Sequence, residues 1–346
     1  MRCEMKKICV ESHFWLKEYT DYLFTRKEIP KREYVDGGKA VVEWVTPELP
    51  MKQPSGKGPM NGSGDISNLE LRLQQMDEAG LDMQVLSFAH PSIQDLEPEA
   101  AVFWSKKMND KLAEAIKKYP DRFSGFARIP FQDPAAAVEE VKRAVEELGL
   151  KGIKTDSNVR GEYLDDKKYW PIFAEAERLD VPFYLHPREP SRDMLKPYLS
   201  YQGLPGSMWG YGAETGLHAV RLICSGLFDE YPGLKVILGH MGEALPFWKE
   251  RLNLAGPTKP GDLNKNVSDY VQDNFYISIS GNFSYPALVC ALLAMGADRI
   301  LFAVDYVAPM PNNSILEAVR FIESAPICDT DKEKIYHLNA ERLLKL

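Results

Sequence analysis

A chain of 346 residues, 45% hydrophobic and 27% charged, is long enough for one large α/β barrel or for two ordinary domains. Its net charge of -8, with no basic stripe, excludes nucleic acid as a natural partner, so an anionic substrate would need local positive charge from a metal or an arginine. No stretch of about 18 apolar residues is present to span a membrane, and the five scattered cysteines form no CxxC, which argues against disulfides and zinc fingers and for a reducing cytoplasm.

Taken in chain order, Met1–Glu11 has charges but no apolar run of signal-peptide length, so no secretory leader is expected. Lys7–Phe14 reads as the first strand. The chain from about Lys17 to Ser67 is then polar and carries Pro30, Pro47, Pro50, Pro54 and Pro59. Such a long connection after a first strand is expected to be a loop over the C-terminal face, serving as a lid or substrate gate. The alternative is a mobile or oligomer-contacting insertion. Gly56-Lys57-Gly58 within it reads as a flexible loop, and no GxGxxG opens a helix after a strand.

Beyond Ser67 the pattern alternates. Apolar spacing at i, i+3 and i+4 predicts helices over Asn68–Ala79, Ala101–Lys118, Ala135–Leu148, Trp170–Leu179, Leu217–Phe228 and Ala287–Met295. Between them, short apolar runs predict strands at Met83–Phe88, Phe123–Pro130, Gly152–Asp156, Pro182–His186, Leu234–His240, Phe275–Ser280 and Ile300–Tyr306. With Lys7–Phe14 these make eight βα units, which predicts a single (β/α)8 barrel over residues 1–346, a TIM barrel with a long insertion (17–67) after its first strand.

Active sites of such barrels are built at the C-terminal ends of the strands. Of the six histidines, His13, His186 and His240 close predicted strands, and Asp305 lies at the end of the last one. Glu11 and His13 are two apart in a strand, so they face the same side. Imidazoles and carboxylates converging on one face make a candidate site for Mn or Zn. Arg188 and Arg251 are candidate clamps for a substrate carboxylate through a bidentate fork.

Several stretches, in this order, carry a family resemblance. They include Val10-Glu11-Ser12-His13, Gly80-Leu81-Asp82-Met83, Leu185-His186-Pro187, Leu238-Gly239-His240-Met241-Gly242-Glu243 and Asn339-Ala340-Glu341-Arg342-Leu343-Leu344. Through them the chain resembles the ACMSD-type branch of the amidohydrolase superfamily, and within it the γ-resorcylate, 2,3-dihydroxybenzoate and 5-carboxyvanillate decarboxylases. The resemblance implies Glu11, His13, His186 and Asp305 as ligands of one divalent ion, Mn or Zn. It also implies His240 and Glu243 as a pair beside the ion linked to Asp305, and a homodimer or homotetramer. The expected activity is non-oxidative decarboxylation of an ortho-hydroxy aromatic acid, with Asp305 protonating the ring carbon. A glutamate as the first residue of the opening motif argues for one metal. Lys154, near the end of the fourth barrel strand, keeps open a hydrolase of a lactone or amide, and a non-catalytic binding barrel is the third alternative.

Overall fold

The computed structural model describes residues 5–44, 48–54, 65–254, 263–306 and 312–346. In chain order its strands are β1 (Ile8–Phe14), β2 (Lys31–Val35), β3 (Ala40–Trp44), β4 (Pro50–Pro54), β5 (Met83–Phe88), β6 (Phe123–Gly125), β7 (Ala127–Arg128), β8 (Ile153–Asp156), β9 (Phe183–His186), β10 (Val236–Leu238), β11 (Phe275–Ser278) and β12 (Ile300–Leu301). Nine of them are parallel and lie in two sheets, β1-β5-β6 and β7-β8-β9-β10-β11-β12.

Backbone hydrogen bonds join the two sheets at both seams. On one side Phe126 N–H donates to Leu86 O and Lys151 N–H to Gly125 O. On the other, Val10 N–H donates to Phe302 O, His13 N–H to Tyr306 O and Tyr306 N–H to Glu11 O. The result is the eight-position ring of a (β/α)8 barrel. The strand expected over Phe123–Pro130 is split at Phe126, where it changes partner. The strand expected over Ile300–Tyr306 is regular only to Leu301, and a single bridge links Tyr306 to Ser12.

Every residue of β1, β5, β8 and β9 is buried. Strands covered by helices on one face and enclosed by the ring on the other read as continuous apolar runs. The exceptions are informative: Glu11, Gln84, Arg128, Lys154 and Asp156 are all buried on barrel strands. Buried polar groups persist only where they are paired or held for use; Gln84, at the start of β5, accepts from Arg72, and the others lie toward the C-terminal end of the barrel.

Two elements depart from the sequence reading. The helix expected over Leu217–Phe228 begins at Gly210 and ends at Cys224, and Gly226, at φ 83°, separates it from a short helix Leu227–Glu230. Glycine is the usual residue for that left-handed turn. The insertion expected as a loop instead holds a helix, Lys17–Thr25, and an antiparallel meander β2-β3-β4. Asp36, Gly37 and Gly38, all at positive φ, make its first turn, and Arg32 pairs with Glu43 across β2 and β3. Residues 45–47 and 55–64 of the insertion lie outside the described residues. The described part rests on loops that leave strand C-termini: Tyr19 Oη donates to Ser92 O at 3.0 Å, Arg26 pairs with Glu97 at 3.0 Å, and Arg192 with Glu48 at 3.1 Å.

Candidate metal and acid–base site

At the C-terminal ends of the strands Glu11 Oε1 lies 3.3 Å from His186 Nε2 and 3.9 Å from His13 Nε2. Asp305 Oδ1 lies 3.3 Å from the same His13 Nε2, and Asp305 Oδ2 lies 3.6 Å from His240 Nε2. One ligand atom from each of Glu11, His13 and His186 falls within 4.8 Å of the others, and the same holds for Glu11, His240 and Asp305. Glu11 Oε1 is buried and has no hydrogen-bond partner. A buried carboxylate oxygen left free amid imidazole nitrogens is what a divalent cation would satisfy, so these residues fit a metal ion.

Electrostatics prepare the group for that role, since ligands must be deprotonated before a metal binds. Burial alone would raise the Glu11 carboxyl, but His186 and His240 together outweigh this and hold it down at about 2. Burial pushes the His186 imidazole down to about 3 and lowers His13 as well. Glu11 Oε2 accepts a hydrogen bond from Tyr184 Oη. Lys154 Nζ is 2.9 Å from His13 Nδ1, so it meets the ring from the side opposite the cluster; burial, helped by Arg128, brings its amine down to about 7. Asp156 Oδ1 lies 3.9 Å from His186 Nδ1. Lys154 thus orients the His13 ring, whereas Asp156 stands near His186 without bonding it.

His240 and Glu243 sit on an unusual turn. His240, Met241, Gly242, Glu243 and Ala244 all have positive φ, between 50° and 79°. A left-handed residue other than glycine costs about 1–2 kcal/mol, so the surrounding structure must hold this turn in place. Met241 N–H bonds Ser278 O at 2.8 Å and His240 N–H bonds Ser280 Oγ at 3.1 Å. The helix Gly210–Cys224 packs against it through two glycines. A Cβ on Gly212 would meet Glu243 Oε2 at 2.9 Å, and one on Gly216 would meet Glu243 O at 2.9 Å. Gly281, at φ 59°, makes room in the same way for His240 and Asp305.

The turn aims His240 Nδ1 at Glu243 Oε1, 2.6 Å away, and leaves Nε2 facing Asp305. Burial works against the His240 imidazolium, but Glu243 and Asp305 outweigh it and hold its pKa well above the usual value. Burial likewise works against the Asp305 carboxylate, yet His13 and His240 hold its pKa well below the usual range. Of the pair, His240 is thus the more basic group.

A cavity of about 1100 Å³ opens over this group, lined by His13, His90, His186, His240 and Asp305 on its floor and by Trp209 and Trp248 on its apolar wall. The two arginines are placed elsewhere. Arg188 is buried and pairs with Asp95 at 3.0 Å, and Arg251 is exposed beside the cavity-lining Leu252. No described residue from Lys17 to Ser67 is among the cavity lining. Sequence reasoning missed Asp156 and His90. Asp156 ends a predicted strand just as His186 does, and that signal was available. His90 stands two residues past the end of β5.

The family described as amidohydrolase matches residues 12–346. The γ-resorcylate decarboxylase of Rhodococcus jostii is 40% identical over 291 residues, which cover 80% of this chain and 87% of that protein. A dihydroxybenzoic acid decarboxylase from Polaromonas, solved with manganese and the inhibitor 2-nitroresorcinol, superposes with a TM-score of 0.80 at 36% identity over 99% of this chain and 98% of that one. The 5-carboxyvanillate decarboxylase of Sphingomonas paucimobilis gives a TM-score of 0.86 at 30% identity, covering 99% and 100%.

Proposed function

This chain belongs to the amidohydrolase family, and on that premise we propose that it is a carboxy-lyase that removes CO2, without an oxidant, from an aromatic acid bearing a hydroxyl ortho to the carboxylate. The observation that carries this reading is the position of Asp305, 3.3 Å from His13 and 3.6 Å from His240, beside the unpartnered oxygen of Glu11. The activities of the relatives favour it over a lactone or amide hydrolase.

Glu11, His13, His186 and Asp305 would hold one divalent ion, and the manganese in the Polaromonas structure favours Mn. When bound, the ion supplies positive charge for the substrate carboxylate and its ortho oxygen. His240 keeps a proton at Nε2, because Glu243 engages Nδ1, and hands it to Asp305 Oδ2. Asp305 then delivers it to the ring carbon that carries the carboxylate. Direct loss of CO2 would leave an aryl carbanion. With the carbon protonated first, the electrons of the breaking C–C bond return to the ring as CO2 departs. Of the two arginines considered from sequence, Arg188 is engaged by Asp95, and Arg251 is exposed and outside the cavity lining, so the substrate carboxylate is left to the ion.

Three further assignments belong to this reading. Residues 17–67 gate the C-terminal face, supported by the contacts of Tyr19, Arg26 and Glu48 with loops there. The chain forms a homodimer or homotetramer, supported by Met208, Trp209 and Phe247, which are 75%, 64% and 70% exposed. It works in the cytoplasm, supported by the unpaired Cys9, Cys224, Cys290 and Cys328; among the described residues no helix is long and apolar enough to cross a membrane. The test is CO2 release from a panel of ortho-hydroxybenzoates with Mn- and Zn-loaded protein. Failure to release CO2 from any of them would overturn the activity.

A further inference from the structure

The helix Gly210–Cys224 reverses the usual polarity over its first half. A helix at the surface of a domain ordinarily turns its apolar residues to the core and its polar ones outward. Here Glu214, Thr215 and His218 are buried, and each is bonded. Glu214 accepts from Asn158 Nδ2 and from Tyr163 Oη, both at 3.0 Å, Thr215 donates to Tyr211 O at 2.8 Å, and His218 Nδ1 lies 2.6 Å from Ser157 O. The opposite side carries Ala213, Gly216, Leu217 and Val220, spaced i, i+3, i+4 and i+7 as one helix face. None of the four is polar, all four line the cavity, and Leu217 is 37% exposed.

This face is continuous with the site already described. Its Gly216 lies against the turn that carries His240 and Glu243. Trp248 and Leu252, which follow that turn in the chain, line the same cavity, and Trp248 is 46% exposed. The cavity thus joins two chemistries: imidazoles and Asp305 at its floor, and an apolar wall beside them. From Ala213 to Val220 the wall runs about 10 Å along the helix, at about 1.5 Å per residue. The whole cavity, about 1100 Å³, exceeds the roughly 300–1000 Å³ that takes a drug-sized ligand. A single-ring acid held at the floor would leave the wall against water, which is unfavourable for apolar surface. An apolar group on the ring that covers the wall gains affinity with each methylene buried, on the order of fourfold when burial is complete.

We propose that the substrate is an ortho-hydroxy aromatic acid bearing an apolar substituent of several carbons, such as an alkyl chain, and that Ala213, Leu217 and Val220 on one side and Trp248 and Leu252 on the other hold that substituent. This rests on the decarboxylase reading for the head group alone. The wall adds uniform binding, which raises kcat/KM without entering the chemistry.

The test is turnover of 2-hydroxybenzoates carrying an alkyl chain at ring position 3, 4, 5 or 6, each from methyl to pentyl, by Mn-loaded wild type, Leu217→Gln and Leu217→Trp. Lengthening a chain beyond ethyl hardly alters the ring electronically, so the slope of log kcat/KM against chain length reports burial, and any general loss of rate in a variant cancels from it. At the favoured ring position kcat/KM should rise about twofold or more per methylene, at least about tenfold from methyl to pentyl. Leu217→Gln should flatten this slope by half or more, and Leu217→Trp, which fills the wall, should reverse it. Position 217 is exposed, and thermal unfolding of both variants checks that they fold. A flat or falling slope in wild type at every ring position overturns the inference; it is the result expected if a second copy of the chain or residues 255–262 cover the wall. A slope that survives in both variants overturns it as well. If no acid releases CO2, the decarboxylase reading fails, and the wall is then read separately by calorimetry with the corresponding alkylphenols. Their affinity should rise with chain length in wild type and not in Leu217→Trp, and chain-length independence would overturn the inference.

Discussion

Glu243 Oε1 lies 2.6 Å from His240 Nδ1, and both residues stand on one left-handed turn. This contact fixes which imidazole nitrogen faces Asp305. Replacing Glu243 by Gln keeps the volume against Gly212 and Gly216 but removes the charge that keeps His240 protonated. Glu243→Gln should lower kcat by ~10²–10⁴-fold, the usual loss when an acid–base partner fails, with Mn content unchanged by elemental analysis. A variant within about tenfold of wild type would remove the pair from the mechanism.

The packing of the helix Gly210–Cys224 on that turn makes a second prediction. At Gly216 the added Cβ would meet the backbone carbonyl of Glu243, whereas at Gly212 it would meet only the end of a side chain. Backbone has less freedom to move aside. Gly216→Ala should therefore cost more kcat than Gly212→Ala, by at least about tenfold, since displacements of an ångström can cost ~10²-fold. Equal rates for the two variants would show that the helix does not set the turn.

Tyr184 supports Glu11 from behind, and its hydroxyl is also 3.1 Å from Ser278 Oγ. Groups that bond a ligand without touching the metal typically account for ~10–100-fold in affinity. Tyr184→Phe should weaken Mn binding by that factor in a competition titration against a chelator. Unchanged affinity would mean that Glu11 is held by the ion alone.

His218 offers a pH prediction away from the metal group. Its Nδ1 is 2.6 Å from Ser157 O and its Nε2 accepts from Leu164 N–H at 3.0 Å, a fully bonded neutral ring. Burial lowers its pKa to about 4 from the ordinary 6.5. The unfolded chain thus takes up this proton first, so the stability His218 confers is complete above pH 6.5 and is lost as pH falls toward 4. The amount is on the order of 3 kcal/mol. Urea unfolding of wild type and His218→Gln across this range should show the smaller acid loss in the variant, and parallel curves would contradict the neutral buried ring.

What could be read in advance followed from periodicity. Strands β5 and β9 were legible because their apolar runs end at Gly, Pro or Asp signals, and His13 and His186 could be placed because strand ends of a barrel converge. The turn at His240 was not legible. Only Gly242 marks it, and four other residues adopt positive φ because tertiary bonds such as Met241 N–H to Ser278 O hold them there. Gly210, Gly212 and Gly216 hid the first turns of a helix, since glycine weakens the local helical signal; the first permits close approach to Pro205 and the other two to Glu243. The prolines of the insertion masked a meander whose last strand, β4, is an edge where proline is tolerated. The state of Asp305 was also out of reach, because it depends on two histidines more than 60 residues away in sequence.

Ring-carbon protonation is tested most directly by turnover of 2,6-dihydroxybenzoate by the Mn enzyme in D2O, with a no-enzyme control for exchange. One deuterium should appear at the carbon that lost the carboxylate, in step with CO2 release and from the first turnover. Product without deuterium at that carbon, or CO2 release that Asp305→Asn leaves intact while the protein keeps its metal, would contradict the account.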